Sequence, residues 1–329
     1  MDITGFISGH RKLLIAGSIV LLLVFVATFP LYGGVYNTRV LTSMLMYVVL
    51  AVSWAMFSGP TGYMSLAPAA FFGIGIYTMA LLQNELPFPV IIAVGGLLAF
   101  GLALLVGLVT LRLKGIYFTI FTFGLVVFMS EMVYYIEARL GQIRGRDVIP
   151  LDAEMLLYTM LGVAVATLLA AYFIRRSRYG LALLSIGANE EAAAHMGVNT
   201  TMVKVILFAV SAIFMGAAGV VTAPALMWVD NRIAFSTFYS FLPILMAVFG
   251  GMGELYGPVI GAAVLGYLDK TLRVQLQVYF MLGFGIILVL VILFLPSGIA
   301  GLVPMLQARL RGLIARLRKG GQTEQHANT

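Results

Sequence analysis

The stretch RRSRYGLALLSIGANEEAAAHMGVNTTMVKVILFAVSAIFMGAAG, residues 175–219, decides how this chain reads. It places Arg175, Arg176 and Arg178, a short polar run with Asn189, Glu190 and Glu191, and then Lys204 between two apolar runs long enough to cross a bilayer. The same alternation recurs in both directions. Of 329 residues, 61% are hydrophobic and 10% charged, whereas roughly a quarter are charged in an ordinary soluble domain. Too little charge remains to coat a soluble surface. Uncharged apolar runs of about 18 residues or more recur along the chain, the mark of transmembrane helices. The expected fold is an all-α polytopic membrane protein of about 10 transmembrane helices. Its membrane domain covers residues 1–303, with a cytoplasmic loop at 175–204, and a basic tail follows at 304–329.

Composition excludes several chemistries. There is no cysteine, so disulfides, thiolate nucleophiles and cysteine metal sites are ruled out. His10, His195 and His326 are far apart in sequence, and no histidine-built metal site is expected. The net charge of +7 lies at span ends and in the tail, where basic residues act as topology signals and meet membrane lipids, not nucleic acid.

The charges also orient the chain. His10, Arg11 and Lys12 precede a first span at 13–32, and Arg112 and Lys114 close another at 90–111, so these ends are expected in the cytoplasm. Glu131 stands about 24 Å along the run that begins at Gly115, near the far edge of a core about 30 Å thick, and interfacial solvation accounts for it. The mixed-charge segment 136–154 and the loop carrying Asp230 and Arg232 are then outer loops. After a last span at 278–295, Leu306, Leu310, Leu313, Ile314 and Leu317 recur at helical spacing among Arg309, Arg311, Arg316, Arg318 and Lys319. That is a basic amphipathic helix for the inner leaflet. Both termini are expected in the cytoplasm.

Two segments interrupt the spans. In GPTGYMSLAPAAFFGIGIYTMALL, residues 59–82, Gly59, Pro60, Gly62 and Pro68 fall within ten residues. Each proline removes a backbone donor, so a helix facing lipid would break here. The segment reads as a broken or re-entrant stretch lining a protein-enclosed cavity; a plain cytoplasmic turn would use the same residues. In FLPILMAVFGGMGELYGPVIGAAVLGYLDKTLR, residues 241–273, two short apolar runs are joined through Gly250, Gly251, Gly253, Gly257 and Pro258. Paired interruptions point to a substrate path and an internal repeat. Gly261, Ala262 and Gly266 also suit close helix packing.

The energy source has to lie elsewhere. No charged residue occurs in 40–84 or 90–111, and 203–229 holds only Lys204, near its start. Proton-coupled carriers place ionisable groups at mid-membrane, which argues against an ion-coupled carrier working alone. The dipeptide Gly-Lys never occurs, so there is no P-loop for nucleotide phosphates. Attention returns to residues 189–197. Asn189 can cap a helix whose first turn holds Glu190 and Glu191, Ala192, Ala193 and Ala194 favour its interior, and Gly197 can end it. A compact helix between spans can be gripped by another subunit. An ordinary connecting loop would fit the spacing equally well.

These residues resemble the EAA-type coupling loop of ABC importer permeases, and the chain as a whole is similar to the LivM branch of the branched-chain amino acid permeases. GYMSLAPAAFFGIGIYT (62–78), LRLKGIYFTIFTF (111–123), FGGMGELYGPVIGAA (249–263) and FLPSGIAGL (294–302) resemble that family's motifs in the same order. The resemblance implies an inner-membrane permease without catalytic residues or cofactor of its own. It implies three kinds of partner outside the chain: a LivH-like second permease, two cytoplasmic ATPases that bind ATP and Mg, and a periplasmic or lipid-anchored binding protein. By the same resemblance Asn189, Glu190, Glu191, Ala192, Ala193, His195, Met196 and Gly197 would couple to an ATPase. Gly62, Ser65, Pro68, Phe71, Phe72, Tyr117, Thr119, Thr122, Gly250, Gly251, Gly253 and Pro258 would line the path. The implied cargo is a branched-chain or other hydrophobic amino acid, with urea or amides, aromatic acids or a sugar as alternatives. Ala67 and Pro68 stand where the family usually has Gly-His. Gly187 and Ala188 replace a frequent Arg-Glu, leaving IGANEEAA, which is closer to the sugar permeases.

Overall fold

The computed structural model describes residues 26–276, apart from 114, 140 and 142–144, together with 285, 286, 289, 298 and 299. Most of the span expected at 13–32, the last span at 278–295 and the basic tail lie outside the described residues.

The chain is helical, as its composition predicts. In order come α1 (Pro30–Thr61), α2 (Pro68–Leu82), α3 (Phe88–Thr110), α4 (Ile116–Arg139), β1 (Arg146–Asp147) and α5 (Ala153–Arg176). Then follow α6 (Arg178–Ala188), α7 (Glu190–His195), α8 (Thr200–Leu226), β2 (Trp228–Val229), α9 (Asn231–Ala234), α10 (Phe238–Gly250) and α11 (Tyr256–Leu276). Among the described residues six helical segments are long and apolar enough to cross a membrane: Tyr32–Thr61, Phe88–Thr110, Ile116–Arg139, Ala153–Arg176, Thr200–Leu226 and Asn231–Gly250. The last is longer than the run of residues 241–250 suggested, because α9 leads into α10. α2 has 15 residues and begins with Pro68, whose missing N–H costs nothing at the first helical position.

α8 is the axis of the bundle and packs along α3 and α2. Backbones touch there without side chains between them. A Cβ added at Gly75 would fall on the Gly216 carbonyl oxygen, one at Gly219 would fall on that of Phe72, and one at Gly216 would stand 2.6 Å from the Gly95 carbonyl oxygen. Small residues allow this approach, which gives membrane helices dispersion contacts where apolar lipid gives no hydrophobic drive. α10 and α11 meet in the same way. A Cβ at Gly250 would fall on the Gly257 carbonyl oxygen, and one at Gly261 on that of Met246, so Gly261 serves close packing. α1 completes the bundle against α5, α11 and α8.

At one end the two loops expected to be exposed are tied together, which periodicity did not foretell. Arg146–Asp147 pairs antiparallel with Trp228–Val229. The Gln83 side chain, beyond the end of α2, donates to the Asp147 carbonyl oxygen and accepts from the Ile149 N–H, both at 2.8 Å. Glu137, buried, lies 3.5 Å from Arg146 in an ion pair, while Glu131 is exposed. α7 lies at the opposite end from this strand pair, since α5 and α8 both run the length of the bundle between them.

The glycine contacts make a definite demand. Gly75→Val is expected to cost at least about 2 kcal/mol, because the added atoms meet backbone and not a side chain that can swing away. The check is a fall of several degrees in the unfolding temperature of the detergent-solubilised chain, with Gly124→Val as control, since Gly124 has open space at its Cβ position.

Candidate coupling and translocation site

The first interruption is tied into the protein through its backbone, although Gly62 and Met64 are exposed. α1 ends at Gly62, whose φ of 72° is left-handed and whose N–H bonds back to the Ser58 carbonyl oxygen. Residues 62–67 then run without helical structure before Pro68 starts α2. Irregular backbone in a membrane protein needs partners from the protein, and three helices provide them. From α1, Trp54 Nε1 donates to the Ser65 carbonyl oxygen at 2.8 Å. From α4, Thr119 donates to the Met64 carbonyl oxygen at 2.8 Å, and the Thr122 hydroxyl accepts from the Leu66 N–H at 2.9 Å. From α10, the Ser240 hydroxyl accepts from the Ala69 N–H at 3.0 Å and donates to the Leu66 carbonyl oxygen at 2.8 Å. Within the segment, Ser65 Oγ accepts from the Ala67 N–H at 3.2 Å.

A polar cluster sits where this segment begins. Lys204, in the first turns of α8, is 2% exposed. An ammonium has three donors, and all are used. They reach Glu190 Oε1 at 2.6 Å, the Leu111 carbonyl oxygen at 3.1 Å and the Tyr63 hydroxyl oxygen at 3.2 Å. The Tyr63 hydroxyl in turn donates to Glu190 Oε2 at 2.6 Å. Lys204 Nζ also stands 4.7 Å from the centre of the Tyr63 ring, within cation–π reach. The Tyr63 hydroxyl, facing a carboxylate that can only accept, is the donor of that pair.

The capped helix forms where the sequence places it. The Asn189 side chain accepts from the Ala192 N–H at 3.0 Å. At the other end Gly197, with φ 86°, and Val198 bond back to the Ala194 and Ala193 carbonyl oxygens, a Schellman closure. Asn189, Glu191, Ala192, Ala194, His195, Met196 and Gly197 are exposed, Ala193 is buried and Glu190 turns inward. Sequence reasoning grouped Glu190 with the outward residues; its carboxylate belongs to the internal cluster. It also missed α6, started by Ser177, whose hydroxyl accepts from the Tyr179 and Gly180 N–H groups. α6 packs on the end of α1, where a Cβ at Gly187 would fall on the Pro60 carbonyl oxygen. Arg175 donates to the Gly253 carbonyl oxygen. The loop 175–204 therefore touches both interruptions.

The candidate path residues separate into groups. Gly62 lines an open cleft of about 420 Å³ with Tyr63, Gly115, Asn189, Glu190 and Glu191. Gly253 and Pro258 line a cavity of about 100 Å³ with Gly59, Arg175 and Leu184. Ser65, Pro68, Phe71, Phe72 and Thr122 are buried in packing, with the Phe71 ring 5.4 Å from Phe208 and Phe72 4.4 Å from Tyr239. Tyr117 is exposed on α4 and Thr119 is partly buried. Gly250 and Gly251 are buried at the α10–α11 contact, Gly251 closing α10. None of the twelve lines the larger cavity of about 700 Å³ in the half of the bundle nearer the β1–β2 pair. Its apolar wall includes Met46, Leu156, Val221 and Phe238, and Arg39, Arg232, Lys270 and Asp269 supply charge. Tyr47 donates to Asp269 Oδ2 at 3.5 Å. These residues are scattered through the sequence and carry no motif.

Fold and site together define a multi-pass helical membrane protein in which a short exposed helix between two spans is wired to a broken helix. Residues 36–294 match the family described as "Branched-chain amino acid transport system / permease component". The chain belongs to that family and is a permease of the ABC type, a transport component. It is 27% identical over 327 residues to the high-affinity branched-chain amino acid transport system permease protein LivM of Escherichia coli K12, covering 89% of this chain and 76% of that one. LivM of Salmonella typhimurium LT2 is likewise 27% identical, covering 88% and 75%. The ribose import permease protein RbsC of E. coli K12 is 26% identical over 117 residues, covering 34% and 36%.

Removing one partner of the irregular segment tests its wiring. Thr122→Val is expected to destabilise by about 2 kcal/mol, because the Leu66 N–H loses its acceptor away from water. Thr122→Ser keeps the hydroxyl and should unfold within a degree or two of wild type in the same thermal assay.

Proposed function

We propose that this chain is the transmembrane permease subunit of a binding-protein-dependent ABC importer for branched-chain or other hydrophobic amino acids. The observation that carries this reading is α7: a helix capped at both ends, exposed along Glu191, Ala194, His195 and Met196, on a chain of the permease family. A short helix presenting one compact face suits a groove on a partner ATPase, two copies of which would bind ATP and Mg; this chain needs no cofactor. The arginines beside α7 put that end in the cytoplasm by the positive-inside rule. The end with the β1–β2 pair then faces the periplasmic binding protein. A LivH-like permease completes the membrane part.

The cavity of about 700 Å³ fits this cargo class. Its apolar wall suits an aliphatic side chain, and its cations and Asp269 suit the two charges of a zwitterion. ATP-driven closure of the ATPases would shift α7 and swing the bundle between outward-open and inward-open states. The near full-length likeness to LivM supports amino acid cargo. The shorter likeness to a ribose permease, with IGANEEAA in the coupling loop, supports a sugar as the second reading.

Proteoliposomes holding the assembled complex are expected to accumulate leucine only with ATP and a loaded binding protein. Met196→Glu with Ala194→Arg should abolish co-purification of the ATPases and cut uptake at least tenfold. Ala225→Trp, which narrows the cavity, should cut uptake while the ATPases still co-purify. Uptake without ATP would defeat the proposal, and a binding protein that takes up ribose and not leucine would establish the sugar reading.

A further inference from the structure

The inward side of α7 carries a second message. Glu190 and Ala193, three residues apart on one face of the helix, point into the protein, while Glu191, Ala194 and His195 point out. We propose that the Glu190–Lys204–Tyr63 cluster is the link that delivers displacement of α7 to the interrupted segment 62–67, which makes these three positioning residues of the transport cycle. This rests on the reading above, in which an ATPase moves α7.

Three features of the geometry support it. First, the cluster cannot be parted without large cost. Pulling Glu190 away would leave the Lys204 ammonium, 2% exposed, without its counter-charge, and an uncompensated buried charge is strongly unfavourable. Movement of α7 therefore has to carry the Tyr63 hydroxyl and Lys204 with it. Secondly, Tyr63 follows Gly62, whose left-handed φ of 72° marks the point where α1 stops and the chain can pivot. Thirdly, what lies beyond Tyr63 is tied onward: Met64 and Leu66 bond to Thr119 and Thr122 of α4, and Leu66 and Ala69 bond to Ser240 of α10. A pull at one hydroxyl thus reaches two further helices. The contact of Gly187 with the Pro60 carbonyl oxygen braces α6 against the same pivot.

A pair that merely stabilised the fold would lower uptake and ATP hydrolysis together. A transmission link lowers uptake per ATP hydrolysed. The test uses the complex with its ATPases in proteoliposomes and variants of this chain: Tyr63→Phe, Glu190→Gln, and Glu190→Gln with Lys204→Met. The last removes both charges and leaves no orphan ammonium, so it answers even where the single carboxylate change fails to fold. The expected result is co-purification of the ATPases at wild-type yield, ATP hydrolysis within twofold of wild type, and uptake per ATP lowered at least tenfold. Tyr63→Phe combined with the double change should be no worse than the double change alone. Uptake per ATP within twofold of wild type in Tyr63→Phe and in the double variant would overturn the link. So would loss of ATPase co-purification in the double variant, which would make Glu190 a docking contact. A wild-type chain that fails to co-purify with any ATPase would instead overturn the importer reading, and the link would fall with it.

Discussion

Polar backbone inside a membrane has nowhere to turn but the protein, and in this chain that constraint is concentrated in residues 62–67. A helix satisfies its own N–H and C=O groups; the six residues 62–67 do not. Trp54, Thr119, Thr122 and Ser240 take over the task, from three separate helices. Because those side chains come from α1, α4 and α10, the interruption also fixes how these helices are placed relative to one another. An apolar contact tolerates sliding; a hydroxyl aimed at a particular carbonyl does not. The segment with least regular structure is thus among the most closely specified.

The buried ammonium of Lys204 follows the same logic with charge in place of dipoles. Its three donors are all used, and the acceptors come from α7, from the end of α3 and from the start of the interrupted segment. A charge this deep is tolerated because every proton has an acceptor and a carboxylate lies at 2.6 Å. Three parts of the chain that are distant in sequence meet at one nitrogen atom.

The helices were readable because membrane-length apolar runs and glycine–proline breaks are written locally. Asn189 and Gly197 likewise announce a capped helix within nine residues, and both act as caps. What could not be read depends on pairs far apart in sequence. Nothing near Lys204 marks it as buried, since a lysine at the mouth of a span is normally a topology signal, and its partner Tyr63 is 141 positions away. Glu190 and Glu191 look alike in sequence, yet one faces in and the other out. The cavity residues Arg39, Arg232 and Asp269 come from three different helices, so no spacing rule could collect them. One signal for Lys204 was present: it is the only charge in 203–229, and a lone cation in so apolar a run needs a partner within the protein.

The glycine contacts divide the molecule mechanically. Where Gly75 and Gly219 rest directly on carbonyl groups, no side chain is left to change rotamer and absorb a shift, so α2, α3 and α8 behave as one solid block, and α10 with α11 as another. Relative motion has to be taken up at the seams where side chains intervene, chiefly those of α1 with α5, α8 and α11. Those same seams wall the cavity of about 700 Å³, so any sliding of one block past the other has to change the shape of that cavity.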